Sequence, residues 1–379
     1  GDAFTWVGIA LLSYQFGRDR SAVILASALT LRVSAFIIFS PFAGVLADRF
    51  DRKKILYITH FIRMVIVSFM PFITAEWQIY VLVFLLNIFN AFFTPTYKSI
   101  IPHIVDKQYY RQAIGLSTGT FQLLGVLGPA MAGILAVWLG AREIFFVDAA
   151  SFVLAGALIL TLPANLLRKE NFGEVKPKPL SAWQDVLKGA KLLFGNKLIR
   201  FALAIEFISA IAGAQILVNT VGHIKSSLNL TDKHYGWVMA AFGIGASIAA
   251  FMSGNFDKTK SRQRSLILGA LMLGMAISAA NYVGFSIMII LWIVAGLGQS
   301  LAEIPSETLI GENIADPEQG KVFGSHFAFS HLWWAIAYPI AGFVGTRFPD
   351  EDFLYGGLLT LGLLVVGWLF FRPKNNINP

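Results

Sequence analysis

The stretch PFAGVLADRFDRKKIL, Pro41 to Leu56, decides the fold. It opens apolar, gathers two Asp and four Lys/Arg between Ala47 and Lys54, and turns apolar again. Charge this dense between two long apolar runs marks a polar loop joining two segments that are themselves buried in something other than water. The composition agrees. Of the 379 residues 56% are hydrophobic and 14% charged, with a mean hydropathy of +0.65. Water-soluble domains carry about 25% charged residues. The excess apolar surface therefore calls for lipid as its solvent.

Working outward, the pattern repeats. A bilayer core about 30 Å thick takes roughly 20 apolar residues per helix. Twelve such segments are read, near 1–17, 22–46, 55–74, 78–100, 112–138, 144–163, 199–221, 234–254, 265–284, 286–309, 320–345 and 353–371. The first, GDAFTWVGIALLSYQF, starts apolar and is read as a helix cut short. One connection is long, Leu167 to Lys197. From Ser181 onward its Trp183, Val186, Leu187, Ala190 and Leu193 recur at helical spacing, with Lys188 and Lys191 elsewhere. That predicts an amphipathic helix lying on the membrane surface. The chain thus divides into a first bundle (1–166), a linker (167–197) and a second bundle (198–379), six helices on each side.

Orientation follows from the cations. If the linker is cytoplasmic, 21 of the 30 Lys and Arg fall in loops on its side and six in loops on the other. The positive-inside rule then places both termini in the cytoplasm. The net charge of +8 is spread over these short loops, so it orients helices and predicts no nucleic-acid partner. There is no cysteine, which excludes disulfides and thiolate chemistry in this chain.

The opening stretch has a degraded echo. SGNFDKTKSRQRSLIL, Ser253 to Leu268, follows the eighth segment as the first copy follows the second. Gly254 corresponds to Gly44, and Asp257 falls near Asp48. GVLADRFDRKKIL resembles the signature loop of the major facilitator superfamily in Gly44, Leu46, Asp48, Arg49, Arg52, Lys53 and Leu56. Asp51 stands where that signature has a second Gly, and the variant DRFDR is similar to the branch of macrolide and siderophore exporters. GVLGPAMAG (Gly125–Gly133) resembles the antiporter motif of drug exporters. FFTPTYKSIIPHIV (Phe92–Val105) and FFVDAASF (Phe145–Phe152) also look like that branch. Two departures stand out. The fourth segment lacks the Arg that many proton-coupled drug exporters carry there. A narrower resemblance, of Ile304–Gly342 to bacterial nickel-resistance exporters, lacks the His-rich tail: the chain ends RPKNNINP.

The resemblance implies an all-α major facilitator fold, two six-helix bundles with a site between them near the bilayer midplane. It implies secondary active export by alternating access, coupled to protons, from the plasma membrane of a bacterium, by a monomer. No Gly-rich phosphate loop is present, so ATP is not the expected driver; no enzyme activity and no cofactor are expected. The substrate is read as a divalent metal cation, nickel or cobalt, or alternatively an amphipathic organic compound such as a macrolide-like drug or a siderophore. A membrane sensor that transports nothing is the reading from another class.

Each candidate residue has a physical reason. Gly44 permits close helix approach, Asp48 can pair with a cation or a helix N-terminus, and Arg49 and Arg52 anchor or pair beside it. Gly125, Gly128, Pro129 and Gly133 form a small-residue face for bending or close packing. Ionisable residues within spans are functional candidates because an unpaired charge there costs at least roughly 2.5–3.5 kcal/mol. These are Asp2, with Arg32 or Arg63 as possible partners, and Glu206. Asp148 is read as structural. Glu303 and Glu307 share a face at i, i+4, whereas His326 and His331 stand about 140° apart. Carboxylate plus imidazole suits nickel or cobalt, with Glu303, His326 and His331 as ligands, or else proton exchange. A metal requires these groups, Glu307 and Asp2 to converge. Asn87 and Asn90 line a polar cavity or bond between helices.

Overall fold

The computed structural model describes residues 2–49, 51–104, 131–162, 179–256, 262–314 and 316–371, with 109, 120, 124 and 127–129. Every regular element among the described residues is helical. In chain order they are α1 (Asp2–Gln15), α2 (Arg18–Arg49), α3 (Arg52–Phe69), α4 (Glu76–Ile104), α5 (Leu127–Leu139), α6 (Ile144–Thr161), α7 (Pro179–Gly195), α8 (Lys197–Gly222), α9 (Asp232–Phe256), α10 (Arg262–Ala279), α11 (Phe285–Asn313), α12 (Asp316–Arg347) and α13 (Asp352–Phe371). Ten of these regions are long and apolar enough to cross a membrane; α1 and α5 are shorter apolar helices, and α7 is neither. The apolar exterior agrees, with Trp138, Phe251 and Phe370 each more than three-quarters exposed. Such a surface is stable only in lipid.

The charge cluster of the opening stretch is a much tighter break than the expected loop over 47–54. Helix α2 continues through Asp48 to Arg49, and α3 starts at Arg52. The reason is Asp51. Its backbone is extended and its carboxylate accepts from the backbone N–H of Lys53 at 2.8 Å and of Lys54 at 3.4 Å. That satisfies donors which the first turn of a helix leaves orphaned. Lys53 then reaches the C-terminal end of α6, donating to the carbonyls of Leu160 (2.8 Å) and Leu162 (2.6 Å). The surroundings of Gly44 and the side chains of Asp48 and Arg49 lie outside what is described; Arg52 is buried.

The linker helix is present as α7, and only Asn196 separates it from α8. Asn196 caps α8 by accepting from Leu198 N–H (2.9 Å) and Ile199 N–H (3.2 Å). Its predicted apolar stripe is divided. Leu193 is wholly buried with Ile199, Leu203, Ile310 and Val322, while Leu187 is exposed. Lys188 pairs with Glu318 at 2.8 Å, holding α7 to the start of α12.

The chain forms two compact units. The first comprises Gly1–Glu174 and Ile224–Ala240, the second Val175–His223 and Ala241–Pro379. Ile224–Ala240 packs with the first unit. Two glycines make this possible. A Cβ on Gly133 of α5 would fall 2.5 Å from the Cα of Gly236 on α9, so the helices meet backbone to backbone. Tyr14 and Ser226 also share a hydrogen bond of 2.7 Å, and Lys225 lies 5.0 Å over the Tyr14 ring. In the second unit α8 is the central helix, buried along most of its length. Phe201, Ala202, Ile205 and Ile208 of α8 meet Leu266, Ala270, Ala302, Leu309 and Leu364 in one core.

Candidate functional site

Because α8 is buried almost all round, a polar residue on it needs a partner inside the protein. Glu206 finds His326 of α12. The imidazole Nε2 lies 2.8 Å from one carboxylate oxygen and 2.9 Å from the other, and each side chain is 8% exposed. One ring nitrogen bridging both oxygens satisfies a carboxylate that would otherwise be stranded in the membrane interior. The pair also holds two groups able to gain or lose a proton, one of them an imidazole that in water titrates near neutrality.

Around this pair the helical spacing brings further groups together. Ser209 and Gly213 follow Glu206 on the same face of α8. The Gly213 position is pressed by the Trp334 ring of α12 and by Gln299 Oε1 of α11: an added Cβ would lie 2.6 Å from one and 3.1 Å from the other. Gln299 donates through Nε2 to Glu303 one turn along α11. Its Oε1, the Ser209 hydroxyl and the Trp333 indole nitrogen are all buried with no hydrogen-bond partner among the described residues. Trp333 packs against Phe207 (5.2 Å between ring centres) and Phe329 (5.9 Å). The result is an aromatic wall with three unspent hydrogen-bonding atoms, beside a carboxylate–imidazole pair. The sequence reading missed Ser209 and Gln299. Their signal was available, since one stands i+3 from Glu206 and the other i−4 from Glu303.

Each member of the expected metal set that lies among the described residues has another partner. His326 is taken by Glu206, and Glu303 by Gln299. His331 lies tilted against Phe327 with ring centres 4.0 Å apart, and its Nδ1 meets the Phe327 carbonyl at 2.8 Å. Glu307 lies on α11 with its side chain outside the described residues. Among the described residues no group of three His, Asp or Glu side chains is placed to hold a metal ion. The two histidines part company because five residues turn them to different sides of α12, as their spacing predicts.

In the first unit Asp2 accepts a hydrogen bond from Arg63 of α3, the partner the sequence offered beside Arg32. Arg63 is 3% exposed and Asp2 58%. Arg32 instead lies 4.6 Å over the Trp6 ring. Asp148 on α6 is wholly buried and accepts from the Thr5 hydroxyl of α1. Asn87 spends its amide on the Val83 carbonyl of its own helix at 2.8 Å, and Asn90 is half-buried nearby. On α5, a Cβ at Gly128 would lie 2.5 Å from Ala3 Cβ, so Gly128 and Gly133 both serve close helix approach. Pro129 carries the carbonyl that faces Gly236. Gly125 lies outside the described residues.

Comparison with known proteins identifies the fold. The family model of the Major Facilitator Superfamily matches residues 1–218 and 202–378, and the chain belongs to that family. Macrolide efflux protein A of Streptococcus pyogenes is 23% identical over 97% of this chain and 91% of its own length. The staphyloferrin A transporter of Staphylococcus aureus is 23% identical over 84% and 80%. The crystal structure of the nucleoside transporter NupG superposes with a TM-score of 0.71 at 15% identity, over 97% of each chain. This chain is accordingly an integral membrane transporter of all-α fold and not an enzyme.

Proposed function

We propose that this transporter exports amphipathic organic compounds and is driven by inward proton flow through alternating access in the bacterial plasma membrane. The observation that carries the reading is the buried Glu206–His326 pair beside the aromatic wall of Phe207, Trp333 and Trp334. Protonating Glu206 removes the negative charge that holds the His326 ring. That loosens α12 from α8, and a contact present in one state and weakened in another biases a conformational equilibrium. The unspent atoms of Ser209, Gln299 and Trp333 suit a substrate that stacks on aromatic rings and carries a few hydroxyl, carbonyl or amine groups. Relatives named for macrolide efflux and for staphyloferrin A support this class. Nickel or cobalt export lacks a ligand set among the described residues, so it is the lesser reading.

The test is resistance and accumulation. Cells expressing the chain should retain less erythromycin than controls, and E206Q and H326A should abolish the difference. Unchanged erythromycin accumulation together with Ni²⁺ resistance would move the assignment to metals. Movement of neither in proteoliposomes under a pH gradient would favour a sensor.

A further inference from the structure

In the second unit a cavity of about 660 Å³ opens at the junction of α7 and α8. Lys188, Lys191 and Leu192 of α7 line one side, Asn196 the turn, and Asn313 and Ile314 at the end of α11 the other. The cavity sits at the edge of the hydrocarbon. The apolar span of α8 begins at Lys197 and that of α11 ends at Ile310, so Asn196 and Ile314 stand within about one helical turn of the membrane core.

The lining is cationic. Lys188 and Lys191 are exposed and three residues apart on α7, so their side chains share a face. Lys188 also pairs with Glu318, but no carboxylate lies among the lining residues. Asn196 spends its side-chain oxygen on the cap of α8, which leaves its amide nitrogen as a further donor. Donors of this kind suit an anion, and a lining without a carboxylate offers nothing to the ammonium of a zwitterionic headgroup. Apolar side chains border the same face. Leu187 precedes Lys191 by four residues and Phe194 follows it by three, and both are exposed. The opposite side of α7 is already packed, with Leu193 wholly buried against Ile199 and Ile310. A small anion from water would leave Leu187 and Phe194 uncovered. A lipid covers them with its acyl chains while its phosphate meets the lysines.

We propose that this cavity binds the headgroup of an anionic phospholipid such as phosphatidylglycerol. The phosphodiester accepts from Lys191, Lys188 and Asn196, the glycerol rests against Leu192 and Ile314, and the acyl chains pass along Leu187 and Phe194. Lys188 keeps Glu318 while meeting the phosphate, since an ammonium carries three donors. The lipid then joins α7 to the end of α11, as the Lys188–Glu318 pair joins α7 to α12. Basic pockets between spans at a membrane face recognise anionic headgroups in this way. The site is independent of Glu206 and His326 and of the export reading.

Native mass spectrometry of the purified full chain in detergent, titrated with phosphatidylglycerol, reads the first lipid bound. K191Q should weaken that binding about fivefold and K188Q/K191Q about thirtyfold, from the usual contribution of each lysine at an anionic surface. K233Q removes an equal charge from an exposed lysine at the start of α9, outside the cavity, and should leave binding unchanged. Phosphatidylcholine should bind more weakly, and millimolar inorganic phosphate should fail to displace the lipid. Loss of Lys188 also releases Glu318; if the double variant does not fold, K191Q decides alone. Equal binding of phosphatidylcholine, displacement by inorganic phosphate, unchanged affinity in K191Q, or a loss in K233Q as large as that in K191Q overturns the proposal.

Discussion

His326 Nε2 lies within 2.9 Å of both carboxylate oxygens of Glu206, joining α12 to the central helix of the second unit across 120 positions of sequence. Removing His326 strands the buried Glu206 carboxylate, at a cost of about 3 kcal/mol. H326Q should therefore lower the thermal midpoint of the detergent-solubilised protein markedly. The double variant E206Q/H326Q, with no charge left to strand, should recover most of that loss. Recovery of nothing would mean that the two residues act separately.

Gly133 and Gly236 meet with no room for a side chain, because the nearest atom to an added Cβ is backbone and cannot swing aside. G133V should destabilise by about 1–3 kcal/mol, the usual cost of overpacking. The loss should appear as weakened packing of Ile224–Ala240, read by faster amide exchange in that stretch.

Gly213 differs, since what an added methyl meets is the Trp334 ring and the Gln299 oxygen. Both are ends of side chains that can shift. G213A should cost little stability but displace Trp334, changing the ratio of erythromycin to smaller aromatic substrates exported. An unaltered substrate profile would place Trp334 outside the substrate path.

Asp51 is exposed, and its carboxylate accepts from backbone N–H groups in the first turn of α3. D51A should cost about 1 kcal/mol, as loss of a helix N-cap does, whereas D51N should be nearly silent. Thermal melting of the two variants distinguishes a cap from a charge requirement.

These residues also mark how far the sequence could be read. The spans were legible because lipid forces a long apolar run for each crossing, and the signature around Gly44 and Asp48 pointed to the family. The position of the α2–α3 break was not, since Asp51 ends a loop by capping, and charge density alone suggests a longer one. Helical spacing placed His326 and His331 on different sides of α12. It gives a face and never the partner on another helix, so Glu206 and His326 stayed separate candidates. The packing of Ile224–Ala240 with the first unit was hidden for the same reason. Its signal is a pair of glycines 103 positions apart.

The central claim is that protonation of Glu206, paired with His326, drives export. Its most direct measurement is erythromycin movement in proteoliposomes with and without an imposed pH gradient. E206Q is predicted to keep exchange of labelled for unlabelled erythromycin at equilibrium while losing accumulation against a gradient. Accumulation by E206Q equal to that of the wild type would contradict the account.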